Sequence, residues 1–244
     1  MNEIILQSAV LGSLGLFAGV LGGVLGFGTT IILIPALVYF YGPIQTIPVI
    51  AVVATVANIS RIFLWWRVID WKACAVYALT AIPAVVLGAH TLVSLNERLI
   101  QIVLGIFLIS LIPVRRWMRR QHFQLKRWHL SLVGAVIGYL TGIVATTGAI
   151  NTPFFLAYGL SKGAFLGTEA ASTLAILFAK GITFHQLGFL NASAIIQGLL
   201  IGSTVMAGSV LSKRIVLSLS EKSFLILMEL VMLLSGILII GMSI

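Results

Sequence analysis

Between Glu3 and Arg61 the chain carries no formal charge. One bilayer crossing needs only about 20 apolar residues, so this stretch can supply more than one. Over the whole chain 60% of residues are hydrophobic and 9% charged, against about 25% charged in soluble domains. Hydrocarbon offers no water to backbone N–H and C=O groups, so only helices or a closed barrel can cross it. The apolar runs are continuous rather than alternating, which excludes a barrel. The expected fold is therefore all-α, a polytopic integral membrane protein.

Apolar segments are expected at about 4–25, 29–41, 44–66, 71–93 and 97–113. After a polar loop at 114–129 they resume at about 130–146, 149–160, 162–186, 190–212 and 222–243. The segments 29–41 and 149–160 are short. The 13 residues of 29–41 reach about 20 Å as a helix, less than the roughly 30 Å hydrocarbon core. Both read as half-helices that follow a break.

The chain also repeats itself. Gly15, Gly19 and Gly23 map onto Gly134, Gly138 and Gly142 at a constant offset, and Pro35 maps onto Pro153 after a one-residue gap. Tyr41-Gly42 resembles Tyr158-Gly159, Thr55 aligns with Thr173, Gly88 with Gly208, and Ser94–Arg98 with Ser218–Lys222. Two transmembrane repeats are expected, 1–113 and 130–244, joined by a basic cytoplasmic linker at 114–129. A duplicated, Gly/Pro-interrupted apolar segment is the sequence mark of a secondary transporter's binding site.

Lysine and arginine choose between parallel and inverted repeats, because they accumulate on the cytoplasmic side. With an even number of crossings per repeat, and Lys180 set aside within a segment, the residues split 9 to 5. With an odd number, only Arg98 faces away from the others, a split of 13 to 1. Inverted repeats are expected, with the N-terminus outside and the C-terminus inside. The formal charge of +9 is read as this topology signal rather than as a nucleic-acid surface. Trp65, Trp66, Trp71, Trp117 and Trp128 around the basic loops form the aromatic belt of one interface. Met1-Asn2-Glu3 lacks a basic n-region, so the first segment is expected to stay as a membrane helix. Cys74 is the single cysteine, which leaves no internal disulfide.

The break at Gly26-Phe27-Gly28-Thr29-Thr30 is the candidate site. Glycines let the backbone leave helical geometry. The half-helix that begins near Thr29 presents unsatisfied N–H groups and a positive dipole end, which suits an anion. Threonine hydroxyls add donors. Thr146-Thr147-Gly148 offers the same from the second half, with Asn151 one turn on. Inverted repeats would bring both tips to the midplane. The earlier glycines, Gly15, Gly19, Gly134 and Gly138, are read as close-packing positions. Charges inside a membrane are functional suspects. Lys180 lies beside the position equivalent to Arg61, and two such cations would draw an anion from either face. Arg61 also lies near enough to a helix end to snorkel. Glu169 could hold a coupling proton, pair with a cation or face the headgroups. His185, near a helix end, is read as interfacial.

These residues resemble the TauE/SafE family of sulfite and sulfur-anion exporters, also called YfcA-like or DUF81 membrane proteins. The likeness covers the chain and rests on Gly22-Gly23-Val24-Leu25-Gly26-Phe27-Gly28 followed by Pro35, and on its second copy. Thr29-Thr30 stands where the family tends to have further glycines, and Val144-Ala145-Thr146-Thr147-Gly148 departs further. The resemblance implies transport of a small sulfur-containing anion such as sulfite, thiosulfate or an organosulfonate across a bacterial cytoplasmic (inner) membrane. The alternatives are another small anion such as a carboxylate, or a membrane scaffold that transports nothing. No enzyme motif, metal-spaced ligand set or phosphate loop is present in the sequence, so no cofactor or metal is expected. The expected partners are the anion and membrane lipid, with no nucleic acid; a homo-oligomer is compatible with the sequence.

Overall fold

A computed structural model describes residues 2–92, 125–143, 148–186 and 191–241. The expected segment 97–113, most of the linker 114–129, and Trp117 lie outside the described residues. The described elements are helical: α1 (Asn2–Leu25), α2 (Gly28–Trp65), α3 (Trp71–Leu92), α4 (His129–Ile143), α5 (Gly148–Ala157), α6 (Lys162–Gln186), α7 (Ala192–Ser218) and α8 (Glu221–Gly241). Pro48–Val68, Trp71–Gly88 and Ala192–Ser218 are each long and apolar enough to cross a membrane.

Both short segments end at a glycine with a backbone that L side chains rarely adopt. Gly42 divides α2 with φ 77° and ψ 164°, and Gly159 follows α5 with φ 101°. These are the two glycines matched in sequence as Tyr41-Gly42 and Tyr158-Gly159. The first break is a reversal. A Cβ on Gly22 would overlap the Thr29 Oγ1, and Thr29 Oγ1 donates to the Ala18 carbonyl at 3.2 Å. The start of α2 therefore folds back along α1 as a hairpin.

Two glycine seams hold the bundle. On α1, the missing side chains of Gly15, Gly19 and Gly23 face Ile201 and Thr204, then Val205, then Ser209 and Ser212 of α7. On α4, Gly134 and Gly138 face Tyr77 and Thr80, then Ala81, of α3, and Gly142 lies against Gly88. Small residues let helix backbones touch where lipid supplies no hydrophobic drive between helices. The seams correct one sequence match. Gly88 meets Gly142 while Gly23 meets Ser212, so the spatial counterpart of Gly88 is Ser212, one turn beyond Gly208.

The registers give helix directions. Residue numbers rise together across α1 and α7, and across α3 and α4. They also rise together between the second part of α2 and α7, where Val52 and Val56 face Gly198 and Gly202. Against α6 they run oppositely: Arg61 meets Glu169 while Trp65 covers Gly163. Helix α3 runs with α6, since the Asp70 N–H donates to Thr168 Oγ1 at 3.0 Å and Tyr77 reaches the amide that Thr173 holds. Thus α1, late α2 and α7 share one direction, and α3, α4 and α6 the other.

Basic residues collect at one end as a result. Arg67, Lys72, Lys126, Arg127, Lys162, Lys213, Arg214 and Lys222 all sit where late α2 and α7 stop and α3, α4, α6 and α8 start. Lys213 Nζ donates to the Leu64 carbonyl at 3.1 Å and lies 5.4 Å from the Trp65 ring centroid. An ammonium at a helix C-terminus meets the negative dipole end and an open carbonyl. Trp66, Trp71 and Trp128 are exposed there. Trp65 is not part of that belt: it is buried over the bare faces of Gly163 and Gly167. The C-terminal expectation also fails. Ser161 Oγ donates to Glu221 Oε1 at 3.2 Å and Phe224 packs edge-on to Phe165. Helix α8 therefore starts at the basic end and leaves it, so Asn2 and Gly241 lie toward the same, opposite end.

Candidate functional site

Gly26 has φ 93°, and its N–H still reaches the Gly22 carbonyl at 2.7 Å. The helix ends there, and the next begins at Gly28 behind Phe27 (φ −142°, ψ −2°), which provides no side-chain cap. The first N–H groups of this half-helix have no side-chain cap from Phe27, and they form the positive end of its dipole.

An ion pair lies against this break. A Cβ on Gly26 would stand 3.2 Å from Arg61 Nη1 and 3.6 Å from Glu169 Oε2. Arg61 Nη1 and Glu169 Oε2 are 2.7 Å apart, with side chains 6% and 1% exposed. The expectation that Arg61 snorkels to the surface is therefore wrong. A carboxylate from α6 meets it inside the bundle, and the missing side chain of Gly26 leaves room for both.

Polar side chains extend the pair in both directions. Arg61 Nη2 donates to Asn58 Oδ1 at 2.6 Å, and Asn58 Nδ2 donates to the Ala54 carbonyl at 2.7 Å. On the other side Thr173 Oγ1 donates to Glu169 Oε1 at 2.8 Å. Asn151 Nδ2 donates to Thr173 Oγ1 at 3.3 Å, and the Tyr77 hydroxyl donates to Asn151 Oδ1 at 2.6 Å. Asn58, Tyr77 and Asn151 are buried. The Tyr77–Asn151–Thr173 chain of donors ends on Glu169 Oε1 and Arg61 donates to Oε2, whereas the Asn58 branch runs from Arg61 to the Ala54 carbonyl. An acceptor at each oxygen suits a charged carboxylate.

Of the residues singled out in the sequence, Gly26, Arg61 and Glu169 meet directly, and Asn151 joins them through Thr173. Gly28 opens the half-helix. The Thr29 hydroxyl commits its proton to Ala18, so it serves the hairpin. Thr30 follows, half-buried. Gly148 is the first residue of α5, one turn before Asn151, while Thr146 and Thr147 lie outside the described residues. The side chains of Lys180 and His185 also lie outside them. The Lys180 backbone is three turns beyond Glu169 in α6, about 16 Å along the axis.

Sequence reading missed Asn58, Thr173 and Tyr77. Two had a signal: Asn58 is three residues before Arg61 and Thr173 four after Glu169, spacings that share a helix face. The depth also differs from the midplane expectation. Glu169 is seven residues past Lys162, about 10 Å from the basic end.

A family model described as sulfite exporter TauE/SafE matches residues 11–239. No curated protein and no solved structure matches the chain.

Proposed function

We propose, from the premise that the chain belongs to the sulfite exporter TauE/SafE family, that it carries a small sulfur-containing anion across the bacterial cytoplasmic membrane. Membership makes it a membrane protein of the transporter type; the substrate, the site and the mechanism are our reading. The observation that carries the reading is Arg61, a buried guanidinium beside a broken helix whose first N–H groups have no side-chain cap. Guanidinium and open N–H groups are the two donor types that recognise tetrahedral or pyramidal oxyanions.

Alternating access would come from two inverted repeats, 1–113 and 130–244, with 114–129 as the cytoplasmic linker. Three features support this. The two glycine seams exchange partners reciprocally, α1 with α7 and α4 with α3. The matched helices α1 and α4 run in opposite directions. The basic residues gather at one end, as the positive-inside rule requires of a cytoplasmic face. The site lies between that face and the midplane, within reach of a rocking motion of one repeat on the other.

A second reading, transport of a small carboxylate, is favoured by one contact: the group Arg61 already holds is a carboxylate. Uptake of radiolabelled sulfite into proteoliposomes, competed with thiosulfate, methanesulfonate and acetate, separates the two. We expect the sulfur anions to compete and acetate not to. Preferential competition by acetate would move the assignment to carboxylates, and no flux of any of them would end the transport reading.

A further inference from the structure

We propose that Glu169 is a tethered competitor for the anion site on Arg61, so that one substrate anion reaches Arg61 only when one proton reaches Glu169. The inference rests on the transport reading. Its ground is the direction of the hydrogen bonds around the pair.

Arg61 has two nitrogens engaged, Nη2 by Asn58 and Nη1 by Glu169. The anion proposed here takes Nη1, the nitrogen beside Gly26. It cannot do so while the carboxylate stays charged, because two like charges would share one buried cation. Protonation removes the conflict. Among the described residues, the two side chains bonded to Glu169, Arg61 and Thr173, both donate to it, so a protonated Glu169 needs an acceptor. Arg61 has none to offer. Thr173 has one, since a hydroxyl both donates and accepts. The bond of 2.8 Å between Thr173 Oγ1 and Glu169 Oε1 can therefore reverse, with Glu169 donating. Arg61 is then released to the anion at the break.

The other groups facing Glu169 leave this assignment intact. From α2 comes Arg61, and from the α1 break Gly26. From α5 comes the neutral Asn151, through Thr173. From α3, the Cys74 thiol donates to the Thr168 carbonyl at 3.4 Å and Tyr77 reaches the network through Asn151. The Asp70 carboxylate is held at the start of α3, where Oδ1 accepts from the Ala73 N–H at 2.9 Å and Oδ2 from the Tyr158 hydroxyl at 3.0 Å. A thiol and a phenol are ordinarily neutral at neutral pH. Glu169 is the carboxyl that meets Arg61 directly, and in this proposal the proton it binds moves with the anion.

The test uses the full chain in proteoliposomes, with sulfite, thiosulfate and methanesulfonate as probes. Methanesulfonate and thiosulfate stay ionised near neutrality, so a proton that moves with them belongs to the protein. For methanesulfonate we expect one proton per anion, accumulation of about tenfold per pH unit of gradient, and no response to a potassium diffusion potential. For thiosulfate the same single proton leaves one net negative charge moved. Glu169→Gln should still carry the anions but ignore the pH gradient and respond to the potential. The double variant Arg61→Gln/Glu169→Gln, which buries no unpaired charge, should carry none. A ratio other than one in the wild type overturns the inference even if Glu169→Gln cannot be purified. So does a Glu169→Gln flux that still follows the pH gradient, while transport itself stands. Flux of none of the probes overturns the transport reading and this inference with it.

Discussion

The two glycine seams are near copies of each other, whereas the centre between them is not symmetric at all. At the seams Gly19 meets the Val205 backbone and Gly138 the Ala81 backbone, and threonines Thr204 and Thr80 occupy the same place beside Gly15 and Gly134. In the centre late α2 contributes a cation with its asparagine, and α6 contributes an anion with its threonine. The seams need only shape: backbone against backbone with no side chain between. The centre needs charge, and each charge needs its partner from the other half of the chain. The difference teaches where substitution should cost shape and where it should cost charge.

The largest effect is expected at the centre. Arg61→Ala leaves Glu169 buried without its cation, and breaking one side of a buried pair costs about 3–5 kcal/mol. Arg61→Ala/Glu169→Ala should cost less than Arg61→Ala alone, because neither charge is stranded. Thermal unfolding in detergent reads both. A double variant less stable than either single one would mean that the pair acts through packing.

Next come the seams. A Cβ at Gly19 or Gly138 would press on backbone, which has no rotamer with which to yield. Gly19→Ala and Gly138→Ala should each cost about 3 kcal/mol, toward the upper end of overpacking effects, and by similar amounts. If one is tolerated and the other abolishes folding, the seams are not equivalent and the case for paired repeats weakens.

Much of this frame was legible in the sequence. Helices α3 and α6 begin within a residue of where charged and turn residues bound the apolar runs, and the repeat of Tyr41-Gly42 as Tyr158-Gly159 marks the two glycines with φ 77° and 101°. The centre was less legible for a physical reason. Arg61 and Glu169 are 108 residues apart, and apolar runs in a membrane say little about which helix faces which. The same limit explains the tryptophans: Trp65 and Trp66 are neighbours, and the positions of Gly163 and Gly167, about 100 residues on, decide which is buried. The direction of α8 likewise depends on Ser161 and Phe165, contacts that lie about 60 residues away in sequence.

A smaller effect is expected where the centre meets the second half-helix. Tyr77→Phe removes the donor to Asn151 Oδ1 and leaves that buried oxygen without the phenol. The cost should be about 1–2 kcal/mol, below that of the seam glycines. A variant as stable as the wild type would show that Asn151 needs no anchor from α3, and would detach Tyr77 from the network.

The smallest effect separates hairpin from site within a few residues. Thr29 lies in the first turn of the half-helix, yet its hydroxyl proton goes to the Ala18 carbonyl. Thr29→Val keeps the shape and removes one hydrogen bond, worth about 1 kcal/mol. The backbone N–H groups that face the break are untouched. Stability should fall slightly, while anion transport, measured against the double variant that lacks Arg61 and Glu169, should persist; Thr29→Ser should restore the lost stability. Loss of transport in Thr29→Val with normal stability would return the hydroxyl to the anion site and make the break, rather than the ion pair beside it, the main source of donors.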